Sequence, residues 1–152
     1  MKTRALLGMA VIAVLCVVGL NADDKEKDPL KGLKCPISGK KVVADKTKAY
    51  KDGQVYFCCP GCPGQFDASN EEHAAKGNYQ LAATGQYKLE KCVLTGGKLN
   101  PATKIAVGDA EVAICFCCNN CKGKAEKAED QVSFLFANKT FDKGYKLAKK
   151  EK

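Results

Sequence analysis

Apolar and polar positions divide this chain into one long apolar run followed by short alternating stretches separated by turn residues. The long run is Ala5 to Leu20, sixteen residues behind the basic start Met1-Lys2-Thr3-Arg4, and Asn21-Ala22 follow it before the acidic Asp23-Asp24. This arrangement predicts a secretory signal peptide over residues 1–22, removed near Ala22. The rival is an uncleaved single-helix anchor, for which the run is a little short against about 30 Å of hydrocarbon. Cys16, inside the run, reads as an apolar filler. Residues 23–32, charged and carrying Pro29 and Gly32, predict a linker with little order that extends toward Lys34.

Beyond the linker the pattern occurs twice. Cys35-Pro36-Ile37-Ser38-Gly39 predicts a tight turn, with Gly39 available for a positive φ. Lys41 to Tyr50 and Gln54 to Cys58 flank Lys51-Asp52-Gly53, and Asp-Gly between apolar runs is a strong hairpin signal. Pro60 holds Cys59 extended, and Pro60-Gly61 leads into a helix carrying Cys62, Phe66 and later Glu71 to Lys76. Asp67 to Asn70 interrupts it, with Ser69 or Asn70 as cap of the next turn. Tyr79 to Ala83 and Gln86 to Lys91, around Thr84-Gly85, read as two short strands. The second round begins with Cys92-Val93-Leu94-Thr95-Gly96 as the turn, and Lys104 to Val107 and Glu111 to Phe116 form a hairpin around Gly108-Asp109. Asn119 to Asp130 follow as a helix capped by Asn119 or Asn120. Val132 to Ala137 and Thr140 to Leu147 match the Tyr79 to Leu89 segment of the first round and read as strands with it.

The cysteines make the repetition unmistakable. VYFCCPGCPG, Val55 to Gly64, returns as ICFCCNNCKG, Ile114 to Gly123. Each copy holds a cysteine pair (Cys58 and Cys59; Cys117 and Cys118) and a third cysteine three residues on (Cys62; Cys121), with Cys35 or Cys92 upstream. The copies are offset by 57 residues at the first cysteine and 59 at the others. The chain therefore reads as two small units, residues 33–91 and 92–147, ending in a polar tail, 148–152. Units of this size bury too little core to fold without disulfides or a metal.

Composition narrows the partners. The net charge is +8, about +6 once Lys2 and Arg4 leave with the signal. Every other positive residue is lysine, and no stacking platform of aromatics is visible, so a solvated lysine-rich surface is expected rather than a nucleic-acid reader. Tyr50, Tyr56, Phe57, Phe66, Phe116, Phe134, Phe136 and Phe141 are expected to fill the small cores. Removal of the signal leaves no membrane span. Export, to a periplasm or the extracellular space or tethered to the membrane if the signal stays, exposes thiols to oxidation. The mature chain keeps nine cysteines, an odd number. Cys115 is the odd one, since Tyr56 holds its place in the first copy; it reads as a buried thiol or as an extra ligand sharing a strand face with Cys117.

The sets Cys35, Cys58, Cys59, Cys62 and Cys92, Cys117, Cys118, Cys121 suit soft metal ions, zinc or copper as Cu(I), about one per repeat. Two cysteines separated by two residues at a helix start would point to one side, where the helix amides favour thiolate. Disulfides are the competing use of the same sulfurs. Adjacent α-carbons lie about 3.8 Å apart, under the usual bridge span of about 4.4–6.8 Å, so Cys58 with Cys59 or Cys117 with Cys118 would be strained. Pairing Cys35 or Cys92 with a downstream sulfur is feasible. His73, the single histidine, sits among charges and reads as a surface residue, so a histidine-type hydrolytic site cannot be built and no catalysis is expected. Cys59-Pro60-Gly61-Cys62 has a redox dithiol form, but no βαβ pattern surrounds it and the second copy holds Asn-Asn instead.

The order of cysteine turn, hairpin, Phe-Cys and helical cysteine resembles the TRASH and YHS group of treble-clef metal-binding domains over Leu33 to Asp130. Cys35, Cys58 and Cys62 match the motif in the first unit, and Cys92, Cys117 and Cys121 in the second. The resemblance implies an α+β fold of two tandem treble-clef-like units and roles in heavy-metal sensing, copper handling or metal carriage, with a metal-donating or metal-accepting protein as partner. Ser38 and Thr95 stand where many relatives carry a further cysteine. Each site is then either three-coordinate or recruits Cys59 and Cys118. The expected function is exported binding of a soft metal; the alternatives are a thiol-disulfide redox protein and a disulfide-stapled interaction module.

Overall fold

The computed structural model describes residues 28–149; the signal peptide expected over residues 1–22 lies outside them. The described residues are α+β, with three two-stranded antiparallel sheets and five short helices among them. β1 (Val43–Tyr50) and β2 (Gly53–Phe57) form the first hairpin. Its loop is one residue shorter than expected: Lys51 (φ 48°) and Asp52 (φ 60°) take the left-handed positions, and Gly53 already pairs with Tyr50. A two-residue loop with both residues left-handed matches the twist of the strands. Gly53 is required for space instead, because a Cβ there would stand 2.7 Å from Leu81 Cδ2.

The outer edge of β2 is closed by two glutamines. Gln80 Nε2 donates to the carbonyls of Tyr56 (3.0 Å) and Lys34 (2.9 Å), while its Oε1 accepts the Tyr56 N–H (2.7 Å). Gln86 grips Gln54 in the same way, accepting its N–H at 2.7 Å and donating to its carbonyl at 2.9 Å. Side chains thus occupy the positions a third strand would fill and leave no open ladder for another chain.

Gln80 lies on α2 (Glu71–Ala83), which follows the single turn α1 (Cys62–Gln65). The break between them falls where expected, and Asn70 Oδ1 accepts the N–H groups of Glu72 and His73. The expected strand Tyr79–Ala83 is instead the end of α2. A five-residue window showed strand-like apolar content, but the cap at Asn70 starts a helix whose buried positions Ala74, Ala75, Asn78, Tyr79 and Leu81 continue helical spacing to Ala83. Strand structure resumes in β3 (Tyr87–Leu89).

β4 (Asn100–Val107) and β5 (Val112–Phe116) form the second hairpin. Buried Thr103 stitches its irregular stretch: its Oγ1 donates toward the carbonyls of Asn100 and Phe116 and accepts the Phe116 N–H. α3 (Asn119–Glu126) is shorter than expected, and its N-cap is Cys118, without a side-chain cap. Val132–Ala137 and Thr140–Leu147 are mostly helical, as α4 (Gln131–Phe136) and α5 (Asn138–Gly144), and only β6 (Tyr145–Leu147) is a strand. Asp130 explains the difference, since its carboxylate accepts the Ser133 N–H at 2.9 Å and starts α4 as a cap.

β3 and β6 carry the same tripeptide, Tyr-Lys-Leu, and pair antiparallel with Lys88 opposite Lys146. The buried side chains of both hairpins and of α2, α4 and α5 form one continuous core. Tyr79 reaches across it, its hydroxyl donating to the Val107 carbonyl (3.2 Å) and accepting the Ala110 N–H (2.8 Å). Phe57, Phe66, Phe116, Phe136 and Phe141 are buried as expected, whereas Phe134 is exposed. Asp28 to Leu33, expected as loose linker, forms turns, and Gly32 lies so close to Asp109 that a Cβ would clash with its carbonyl. Among the described residues no helix is long and apolar enough to cross a membrane.

Candidate metal centres

Each centre begins with the same turn. The Cys35 N–H donates to the Lys40 carbonyl (2.7 Å) and the Gly39 N–H to the Cys35 carbonyl (2.9 Å). Cys92 repeats this with Gly97 (2.9 Å) and Gly96 (2.7 Å). Gly39 (φ 69°) and Gly96 (φ 77°) take the left-handed conformation that closes the loop, where a Cβ is disfavoured. The turn folds the first cysteine inward, leaving Cys35 1 % and Cys92 0 % exposed.

The hairpin supplies the second sulfur. Cys58 and Cys117 immediately follow the last residues of β2 and β5 and are half-buried. The helix supplies the third, with Cys62 opening α1 and Cys121 in the first turn of α3, both buried. Cys35, Cys58 and Cys62 form one triad, and Cys92, Cys117 and Cys121 the other, with every pair of sulfurs inside a triad within 4.8 Å. Cys58 and Cys62 sulfurs are 3.7 Å apart, and Cys117 and Cys121 sulfurs 3.6 Å.

Those spacings match coordination. Zinc bound to sulfur at about 2.3 Å in a tetrahedron separates its ligands by about 3.8 Å. All nine described cysteines are free thiols, so no disulfide links the described residues. Each triad is therefore able to hold one metal ion through sulfur.

The hydroxyls identified in the turns stand beside the sulfurs. Ser38 Oγ is 3.0 Å from Cys58 Sγ, and Thr95 Oγ1 is 3.2 Å from Cys117 Sγ. Burial pushes the Cys35 thiol up, but the N–H groups of Ser38, Cys58 and Ile37 and the Ser38 hydroxyl outweigh it and bring the pKa down to about 6. At Cys92 burial is again outweighed, first by the Thr95 hydroxyl and then by the N–H groups of Cys117, Thr95 and Leu94, and the pKa is also about 6. The helical cysteines move oppositely. Cys62 is pushed up by the Cys59 thiol and then by burial, and Cys121 to about 12 by burial and then the thiols of Cys117 and Cys118. Helix-start amides were expected to favour thiolate at the paired cysteines. Cys59 is held below the ordinary thiol value, first by the Cys62 thiol and then by the Cys62 and Gly61 N–H groups, and Cys118 first by the Cys121 N–H, whereas Cys62 and Cys121 are raised. α1 is one turn long, and Cys62 is surrounded by other sulfurs that share its proton.

The other two candidate ligands lie beside the triads. Half-buried Cys59 has its sulfur 3.2 Å from Cys62 Sγ, and exposed Cys118 has its sulfur 3.7 Å from Cys117 Sγ. Cys115 is half-buried and belongs to neither triad. His73 is packed rather than free on the surface: its ring stacks on Phe66 at 6.1 Å and its Nδ1 accepts the Asp67 N–H. Gln80, which ties together the segments leading to Cys35 and Cys58, gave no chemical signal in the sequence; only its buried position within the helix period could have revealed it.

Fold and site together define an α+β protein with two cysteine triads, each able to bind a metal. Comparison of the chain with protein-family models, curated proteins and solved structures returned no match.

Proposed function

We propose that this protein binds one soft metal ion, zinc or Cu(I), in each triad and serves in metal handling outside the cytoplasm, without catalytic turnover. The observation that carries this reading is the convergence of three sulfurs at coordination spacing in two places, built each time from a glycine-closed turn, a hairpin end and a helix start. Thiolate is the donor that selects such ions over magnesium or calcium. The likeness of the cysteine order to TRASH and YHS domains points the same way, and the apolar run at Ala5 to Leu20 supports export.

The test is native mass spectrometry of the reduced chain after titration with zinc or Cu(I). Two ions bound, falling to one in either Cys35→Ser or Cys92→Ser, is the expected result. Uptake of no ion, or two ions retained by the double variant, refutes the proposal. The contact of Cys59 with Cys62 favours a second reading, a redox dithiol. It requires the reduced protein to reduce a model disulfide at a rate abolished by Cys62→Ser, and an inert wild type eliminates it.

A further inference from the structure

Each triad has a fourth thiol at its rim whose placement differs from that of the other three. Cys35, Cys62, Cys92 and Cys121 are buried, Cys58, Cys117 and Cys59 are half-buried and Cys118 is exposed, and neither Cys59 nor Cys118 belongs to the sulfurs that lie mutually within 4.8 Å. Cys118 (φ −159°, ψ 168°) sits on fully extended backbone, with its sulfur 3.7 Å from that of Cys117 yet outside the set of three sulfurs that lie mutually within 4.8 Å. Pro60 disfavours helical geometry at Cys59. Cys59 Sγ lies 3.2 Å from Cys62 Sγ, and Cys118 Sγ lies 3.7 Å from Cys117 Sγ, so each rim thiol touches a triad sulfur without joining the triad.

The turns, meanwhile, bring a hydroxyl rather than a sulfur to each strand-end cysteine, from Ser38 and Thr95. A neutral hydroxyl is a poor ligand for a soft ion. Three sulfurs converge in each triad, and the rim thiol stands beside them.

We infer that Cys59 and Cys118 are exchange thiols through which a bound ion passes between the buried triad and an acceptor that offers its own thiolate. This rests on the metal-binding reading above. The exchange is a ligand substitution without change of oxidation state. In the first centre a bond from Cys59 Sγ to the ion forms as the bond from Cys62 Sγ breaks, and the Cys59 proton moves to Cys62 Sγ. In the second centre Cys118 takes the ion from Cys117 and gives that sulfur its proton. The acceptor's thiolate then displaces the rim sulfur from the solvent side.

The experiment uses the full reduced chain loaded with zinc alone. Zinc stoichiometry, zinc affinity and the rate of transfer to excess glutathione are compared for wild type, Cys59→Ser/Cys118→Ser and Cys115→Ser. Iodoacetamide labelling of the loaded wild type is mapped cysteine by cysteine. Expected for the double variant are two ions bound at near wild-type affinity and transfer slowed about tenfold or more. Cys59 and Cys118 should label in the loaded wild type while the triad cysteines are protected, and Cys115→Ser should behave as wild type. Protection of Cys59 and Cys118 in the loaded wild type, or an affinity loss of about 100-fold or more in the double variant, would make them ligands and overturn the inference. Unchanged transfer would overturn it too, while two bound ions kept the metal-binding reading intact. A wild type that takes up no zinc or Cu(I) removes both.

Discussion

Gln80→Leu tests how the first centre is held together. The substitution keeps side-chain bulk but deletes three hydrogen bonds, stranding the Tyr56 N–H and the carbonyls of Tyr56 and Lys34 beside a helix that packs on β2. Gln80 is 1 % exposed, so water does not readily replace it. Each buried backbone group left without a partner costs about 1–3 kcal/mol, and allowing for relaxation the expected loss is about 3–5 kcal/mol. For a chain of this size that lowers Tm by roughly 10–20 °C. The loss is directional, because Lys34 precedes Cys35 and Tyr56 lies two residues before Cys58, so Gln80 fixes the distance between two ligands of the first triad. Zinc titration of the variant, followed by native mass spectrometry, should show the first site weakened and the second unchanged, with Cys92→Ser and Cys35→Ser identifying which site remains. Gln86→Leu, at a more exposed pair of bonds on the same edge, should cost about 1 kcal/mol. A Tm within 3 °C of wild type for Gln80→Leu, roughly the effect of a single kcal/mol, or equal weakening of both sites, would refute the reasoning.

The metal-free protein should have a stability maximum in pH. The ionised forms of Cys35 and Cys92 are favoured by folding, from an ordinary value of 9.0 down to about 6, so their stabilisation is complete above pH 9 and disappears as pH falls through 6. Cys121, raised from 9.0 to about 12, stabilises below pH 9 and loses that contribution as pH climbs toward 12. Melts of the chelator-treated, reduced protein should therefore rise from pH 6 to a maximum near 9 and then decline; a steady fall from pH 6 upward would contradict this. Gly108→Ala should lower stability by about 2–4 kcal/mol in urea unfolding, since Gly108 has φ 69° and a Cβ would lie 2.5 Å from the Tyr79 hydroxyl oxygen; a change under about 0.5 kcal/mol, typical of an ordinary surface position, would show that this turn is not held as described. Asn70→Ala removes the cap of α2 and should cost about 1 kcal/mol in the same assay, with no effect expected on zinc stoichiometry.

The hairpins, the break before α2 and the six triad cysteines were legible because their signals are local: a turn dipeptide, a proline-glycine step, and repeated cysteine spacing. The helical character of Tyr79–Ala83, Val132–Phe136 and Asn138–Gly144 was not. The first two are short and rich in apolar or β-prone residues, the third has only Thr140 and Phe141 of that kind, and their state is decided by a cap outside the window, Asn70 or Asp130, or by packing against the other half of the chain. The ionisation pattern was misread for a related reason. Helix-start position predicted thiolate at the paired cysteines and holds for Cys59, but at Cys62 the thiols of Cys59, Cys58 and Cys35 raise the pKa, and cysteine spacing alone does not show which sulfurs will touch.

The same long-range contacts explain how so small a chain keeps two cysteine centres in shape. A hairpin alone is marginal in water, and each half of this chain has little core of its own. α2 supports both halves from neighbouring residues. Gln80 closes the edge of the hairpin that ends at Cys58, and Tyr79, one residue earlier, holds the loop of the hairpin that ends at Cys117. A helix in this segment can serve both because residues 79 and 80 project about 100° apart around its axis, whereas a strand would have sent them to opposite faces of one sheet. The helical state of Tyr79–Ala83, which the local sequence concealed, is therefore what lets one element brace the two cysteine triads. β3 and β6 then join the halves through identical tripeptides, so that tearing either centre apart also exposes part of the core that supports the other.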